Sequence, residues 1–233
     1  MRTNIETFAD ADAVAHRTAE VIAAAAREGV RRHGRAVLAF SGGSTPAPML
    51  RRLGEMDARW NATHIVQVDE RVAPDGHPDR NWTMITNNLL AGADIPDALL
   101  HPMPVTDDDL EAAAERYARL LMTVSGVPPI ADVVHLGIGT DGHTASLVPG
   151  DPVLRIRDRW IAVTGDYQGR RRMTFTYPTI NAGRLVVWQV ADGSKAAALR
   201  EALQGSDVPA SKVRRRAAHV VATHAAAAQL DHL

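Results

Sequence analysis

No cysteine occurs among the 233 residues. That excludes disulfides, thiolate metal sites and cysteine nucleophiles, and it suits a reducing compartment. Aromatic residues are scarce, at 4%. Alanine carries much of the apolar count instead, which favours helices packed closely on a sheet. No apolar stretch approaches a membrane span, and the N-terminal MRTNIETFADADAV has no signal-type apolar core. The chain reads as cytoplasmic, with no membrane partner. An excess of one charge is also missing. The formal net charge is −1, which gives no global field to recruit nucleic acid.

What is present is an ordinary globular balance, with 45% hydrophobic and 23% charged residues. A chain of this length can bury a sizeable core without metal or disulfide staples. No repeat of fixed period and no low-complexity linker divides it, so a single domain over 1–233 is expected. Short apolar runs at 36–40, 64–68, 132–136, 160–163, 185–190 and 219–222 read as buried parallel strands. Helical patterns at 11–33, 47–53, 81–90, 107–125, 194–203 and 225–230 alternate with them. This alternation predicts an α/β fold with a doubly wound, mostly parallel sheet flanked by helices.

The unusual polar residues follow the strands. In an open parallel sheet the carboxyl-end loops share one edge, where ligands bind. After Phe40 comes Ser41-Gly42-Gly43-Ser44-Thr45-Pro46. Its glycines let the backbone approach an anion, the following helix start offers free amides, and Ser44 and Thr45 add hydroxyls. The lysine of a triphosphate-binding loop is absent. After Val68 comes Asp69-Glu70-Arg71. It reads either as a salt-bridge network or as a site where Asp69 meets sugar hydroxyls or a catalytic group and Arg71 helps hold an anion. The Pro/Gly-rich 72–82 segment that follows is placed to act as a lid.

Residues 137–142 read literally as G-x-G-x-x-G. Three features oppose a dinucleotide site. Asp141 would face a pyrophosphate, Pro149 and Pro152 interrupt the helix that should follow, and no acid ends a strand about 20 residues on. The alternative centres on His143, two residues from Asp141 in a glycine-rich loop, as a general base that works near neutral pH. Asp141 would orient the imidazole or touch the substrate. The run Arg170-Arg171-Arg172 and Lys195, a cation at a helix start where the dipole disfavours it, are candidate clamps for an anion. Asp75, His77 and Asp79 match no metal-ligand spacing, so no metal is expected.

Five blocks in order carry a resemblance over nearly the whole length: SGGSTP at 41–46, VDER at 68–71 with HPDRNW at 77–82, GIGTDGHTASLVPG at 137–150, R-x-T-x-T at 172–176 and GSKAAAL at 193–199. The chain resembles the lactonase branch of the glucosamine-6-phosphate isomerase/6-phosphogluconolactonase family. That resemblance implies a Rossmann-like fold of the deaminase/lactonase type and cofactor-free hydrolysis of a phosphorylated sugar lactone in the oxidative pentose phosphate pathway. It implies His143 as base. It also implies a substrate site lined by Ser41, Gly42, Gly43, Ser44, Thr45, Asp69, Arg71, Arg172 and Lys195, and it inclines the expectation to a monomer. The choice of Arg172 among the arginines rests on the R-x-T-x-T match alone.

Two departures from the lactonase pattern, Val148 in place of an aromatic residue and Arg80 in place of a small polar one, are expected to alter the rim of the pocket. The deaminase branch resembles this chain in the same loop but continues with Asn-Glu-Pro, whose glutamate serves ring opening. Here Thr144-Ala145-Ser146-Leu147-Val148-Pro149 contains no acid. A non-catalytic sugar-phosphate sensor is a further alternative, but the chain has no spare segment or basic patch for DNA binding. The donors that would steady an oxyanion, the amides at 42–43 or Arg71, stay open.

Overall fold

Strand β2 (Ala36–Phe40) is buried at every residue. Its side chains alternate between two apolar clusters, Ala36, Leu38 and Phe40 in one and Val37 and Ala39 in the other. A strand apolar on both faces belongs in a parallel sheet between two covering layers, and β2 lies there. The computed structural model describes residues 3–214 and 216–230. Strands are numbered in chain order across two sheets. The large sheet is wholly parallel, in the order β1 (Asn4–Phe8), β10 (Ala218–Thr223), β9 (Leu185–Val190), β6 (Val133–Leu136), β2, β3 (Thr63–Gln67) and β5 (Leu100–His101). A small antiparallel sheet has the order β4 (Asp69–Arg71), β8 (Arg172–Phe175), β7 (Ile161–Val163).

One face of the large sheet is covered by α1 (Ala11–His33), α2 (Pro46–Gly54) and α3 (Asn81–Leu89). The other is covered by α4 (Leu110–Ser125), the small sheet, α5 (Tyr177–Ala182), α6 (Ala196–Gln204) and α7 (His224–Ala227). Local chemistry sets the helix ends. Asp10 Oδ1 accepts from Ala13 N at 2.8 Å to start α1. Gly34, at φ +74°, ends it in the left-handed conformation. Between them Val14, Ala15, Thr18, Ala19, Ile22, Ala23 and Ala26 form the buried stripe. The acidic cluster at 107–109 precedes α4 rather than opening it, because Asp109 caps the Ala112 amide at 3.0 Å.

The parallel architecture follows the sequence expectation, with one correction. The 160–163 run is not a strand of the parallel sheet: Ile161–Val163 pairs antiparallel with β8. β1, β4, β5 and β8 were not anticipated.

The connectivity positions the site. From β2 the chain moves outward to β3 and β5, then returns to β6 on the opposite side of β2. The carboxyl ends of β2 and β6 thus flank the switch point, where an open α/β sheet leaves a crevice. Val68, directly after β3, donates to Phe40 O at 2.9 Å and accepts from Phe175 N at 2.7 Å. These bonds tie the small sheet to the carboxyl edge of the large one.

Candidate active site

The loop after β2 forms the first wall. Ser41 Oγ donates to His135 O at 2.9 Å, which ties this loop to β6. At position 42 any Cβ would overlap the Asn81 carboxamide, so only glycine fits between this loop and α3. Thr45, at the start of α2, provides no side-chain cap. The helix terminus therefore offers its dipole to an anion, while Pro46 and Pro48 carry no N–H, so the amide donors on this wall belong to the loop at 42–45. Beneath it, Gln189 Nε2 donates to Thr45 O at 3.2 Å and Gln189 Oε1 lies 3.0 Å from His135 Nε2. A carbonyl can only accept, so this chain fixes the proton of His135 on Nε2 and leaves Nδ1 as a bare acceptor. That Nδ1 is buried without a partner. Burial pushes the His135 imidazole down to about 4, against the Gln189 bond, so the floor of the site is neutral.

The loop after β6 carries a dyad. His143 Nδ1 lies 2.6 Å from Asp141 Oδ1, and His143 N donates to the same oxygen at 3.2 Å. Tyr167 Oη donates to Asp141 Oδ2 at 3.2 Å. Burial works against the charge on Asp141. The bonds from the His143 ring and backbone and from Tyr167 outweigh it and hold the carboxyl below its usual range. An ionised carboxylate only accepts, so the neutral imidazole keeps its proton on Nδ1 and has its lone pair on Nε2. The dyad needs glycine at 139, where a Cβ would collide with His143 Nδ1 and Cε1 and lie 2.5 Å from Asp141 Oδ1.

The small sheet and α6 supply the charged wall. Asp69 is 4% exposed and accepts from Ser146 Oγ at 2.6 Å. Burial raises its carboxyl, while Ser146, Arg71 and Arg172 pull it back down. Arg71 is steadied through Nη1 by Asp79 O at 2.9 Å and Asn81 Oδ1 at 2.7 Å. Arg172 is 5% exposed, and its buried Nε has no partner. Burial lowers this guanidinium from its ordinary value, partly offset by Asp69. Lys195, at the start of α6, forms no ion pair with any described residue.

The expected residues converge. Loop 41–45, Asp69, Arg71, His143, Arg172 and Lys195 line one cleft of about 310 Å³. Asp141 stands behind His143 rather than on the wall. The DER triplet divides. Asp69 and Arg71 face the cleft, whereas Glu70 is fully buried in an ion pair with Arg80 at 3.0 Å. The two departures from the family pattern do not alter the rim. Arg80 is buried against Glu70, Asp75 and Ala73 O, and Val148 is packed in the interior. The 72–82 segment is tied down by Arg71 to Asp79 O and by Arg170 Nη2 to Asp79 Oδ2 at 2.6 Å. His135, Gln189, Asn81 and Tyr167 were not anticipated. Among the described residues no grouping of three or more His, Asp or Glu could hold a metal ion, and no helix is long and apolar enough to cross a membrane.

A sequence profile described as glucosamine-6-phosphate isomerases/6-phosphogluconolactonase matches residues 9–222. The chain belongs to this family. It is 42% identical over 176 residues to the 6-phosphogluconolactonase of Synechocystis sp., covering 74% of this chain and 73% of that one. To the 6-phosphogluconolactonase of Nostoc sp. it is 37% identical over 205 residues, covering 86% and 85%. The solved 6-phosphogluconolactonase of Thermotoga maritima superposes with a TM-score of 0.85 at 25% identity, covering 95% of this chain and 99% of that one. A monomeric glucosamine-6-phosphate deaminase shares the fold, with a TM-score of 0.82 at 20% identity over 97% of this chain and all of that one. Both branches of the family thus share this architecture, and the cleft chemistry has to separate them. No acid occurs in the six residues after His143, and one of them, Ser146, is bonded to Asp69.

Proposed function

We propose that this chain, acting as a single cofactor-free domain, hydrolyses 6-phospho-D-glucono-1,5-lactone to 6-phosphogluconate. One observation carries the reading: an aspartate-held imidazole and an uncapped, glycine-rich helix start face the same cleft, although about 100 residues separate them in the chain. The relatives named 6-phosphogluconolactonase support the substrate, and the missing acid after His143 weighs against amino-sugar isomerisation. The 6-phosphate docks on loop 41–45, Arg172 and Lys195. Fixing one end of the substrate places the lactone carbonyl beside His143, and such positioning supplies much of the rate. His143 Nε2 takes a proton from water as the oxygen attacks the carbonyl carbon. Arg71 and the 42–43 amides are the donors on this wall for the resulting oxyanion. Collapse breaks the bond to the ring oxygen, which receives the proton from His143.

The test is lactone hydrolysis without added cofactor, corrected for the spontaneous reaction. His143→Ala is expected to lose about 10²–10⁴-fold in kcat while still binding 6-phosphogluconate by calorimetry; an unchanged rate removes His143 from the role. Lys195→Ala is expected to raise KM for the phosphorylated lactone and to leave the unphosphorylated lactone unaffected. Equal effects on both contradict the phosphate clamp.

A further inference from the structure

Tyr167 touches both halves of the proposed machinery. Its hydroxyl donates to Asp141 Oδ2 at 3.2 Å, and its ring packs edge-on to His143 with centroids 5.5 Å apart. The Arg172 guanidinium lies 5.0 Å from the centroid of the same ring. Arg172 Nη2 also donates to Tyr167 O at 3.4 Å. Among the described residues, no other side chain makes a hydrogen bond, ion pair or ring contact with both the dyad and Arg172. The geometry points to Tyr167 as a positioning residue that fixes the orientation of the Asp141–His143 dyad through its hydroxyl and the seat of Arg172 through its ring. This inference rests on the lactonase reading of the cleft.

The backbone makes such a strut rigid. Tyr167 and Arg170 close a two-residue hairpin turn between β7 and β8, with Tyr167 N donating to Arg170 O at 3.0 Å. The central residues Gln168 and Gly169 have φ +54° and +77°, the pair of positive values that a type I′ turn requires. Arg170 anchors the turn from outside through Asp79. The hydroxyl remains a donor, because burial and the charge of Asp141 both raise its pKa. Arg172 needs a seat because it has no carboxylate within ion-pair distance and its Nε is unpartnered. A ring face supplies attraction without neutralising the charge that a phosphate would meet.

The two roles separate by substitution. Tyr167→Phe keeps the ring and loses the hydroxyl. In the lactone assay its kcat is expected to fall about tenfold, the scale of one lost hydrogen bond to a charged group. Its calorimetric Kd for 6-phosphogluconate is expected to stay within about twofold of wild type. Tyr167→Leu loses both contacts. It is expected to show the same kcat loss and, in addition, about fivefold weaker binding of 6-phosphogluconate, as suits a lost cation–π contact, with gluconate binding unchanged. A Phe variant with wild-type kcat, a Leu variant with wild-type Kd, or Phe and Leu variants equal in both constants would each overturn the assignment. Wild-type protein unable to hydrolyse the lactone refutes the proposed function instead. In that case inorganic phosphate titrated into wild type and Tyr167→Leu still decides whether the ring seats Arg172.

Discussion

A methyl group at position 139 would occupy space now filled by the His143 ring and the Asp141 carboxylate. Gly139 is not in the left-handed region, so alanine costs little backbone strain there and the clash falls on the dyad. The Asp141–His143 bond of 2.6 Å has no room to shift without turning the imidazole. Misplacement of a reacting group by about 1 Å costs roughly 10²-fold in rate. Gly139→Ala is therefore expected to lose about that much kcat while its melting temperature stays close to wild type, as checked by parallel kinetics and thermal unfolding. A variant that melts early and loses rate in proportion would show that the glycine serves packing. The same glycine also explains why 137–142 imitates a dinucleotide motif in sequence. The small residues make room for side chains of the loop itself, and Asp141 turns back onto the imidazole of its own loop.

At the level of elements, legibility followed the hydrophobic pattern. Strands β2, β3, β6, β9 and β10 each centre on buried apolar residues, so their positions could be read within a residue or two, and with them the loops at their carboxyl ends. That is why the cleft residues converged as expected. The small sheet was hidden because β4 is Asp69-Glu70-Arg71 and β8 begins at Arg172; their polar residues serve the site and mask the strand pattern. β1 is a half-exposed edge and β5 has two residues. Tyr167 lies three residues before Arg170-Arg171-Arg172, a run that reads only as basic, although a Gln-Gly turn between two short strands was a usable signal. Glu70 shows what spacing alone cannot reveal. Its carboxylate accepts from Arg71 N at 2.7 Å, Asn81 N at 2.8 Å and Trp82 N at 2.9 Å, besides pairing with Arg80. It thereby caps α3 from β4 across the nine-residue loop 72–80. Glu70→Ala leaves the buried Nε of Arg80 and these amides unsatisfied. Such a loss typically costs about 3–5 kcal/mol, or about 2–4 °C of melting temperature per kcal/mol at this size. Thermal unfolding that moves by less than a few degrees would mean that water reaches the network.

For the molecule as a whole, the cleft and the centre of the sheet are one structure. His135 sits on β6 at the switch point and reaches Thr45 O through Gln189, so the floor of the site is also the middle of the fold. Burial holds His135 down to about 4, against 6.5 for the free side chain. At the far edge, His101 is likewise lowered to about 4, by burial and then by the charge of His64. Between those values the unfolded chain binds protons that the folded chain refuses, so stability rises with pH across the window and is lost as pH falls from 6.5 toward 4. The urea midpoint is expected to drop between about pH 7 and about pH 5, before most carboxylates titrate. His135→Leu removes one of the three rings held down, His64 being lowered too by burial, and leaves Gln189 Oε1 without its donor. It should be less stable than wild type at neutral pH but show a flatter dependence, and adding His101→Gln should flatten it further. Parallel curves for wild type and both variants would mean that the acid sensitivity arises elsewhere. Because His135 also steadies the Thr45 carbonyl, the Leu variant should raise KM for the phosphorylated lactone more than it lowers kcat. That split ties the acid sensitivity of the fold to the anion cradle through a single buried ring.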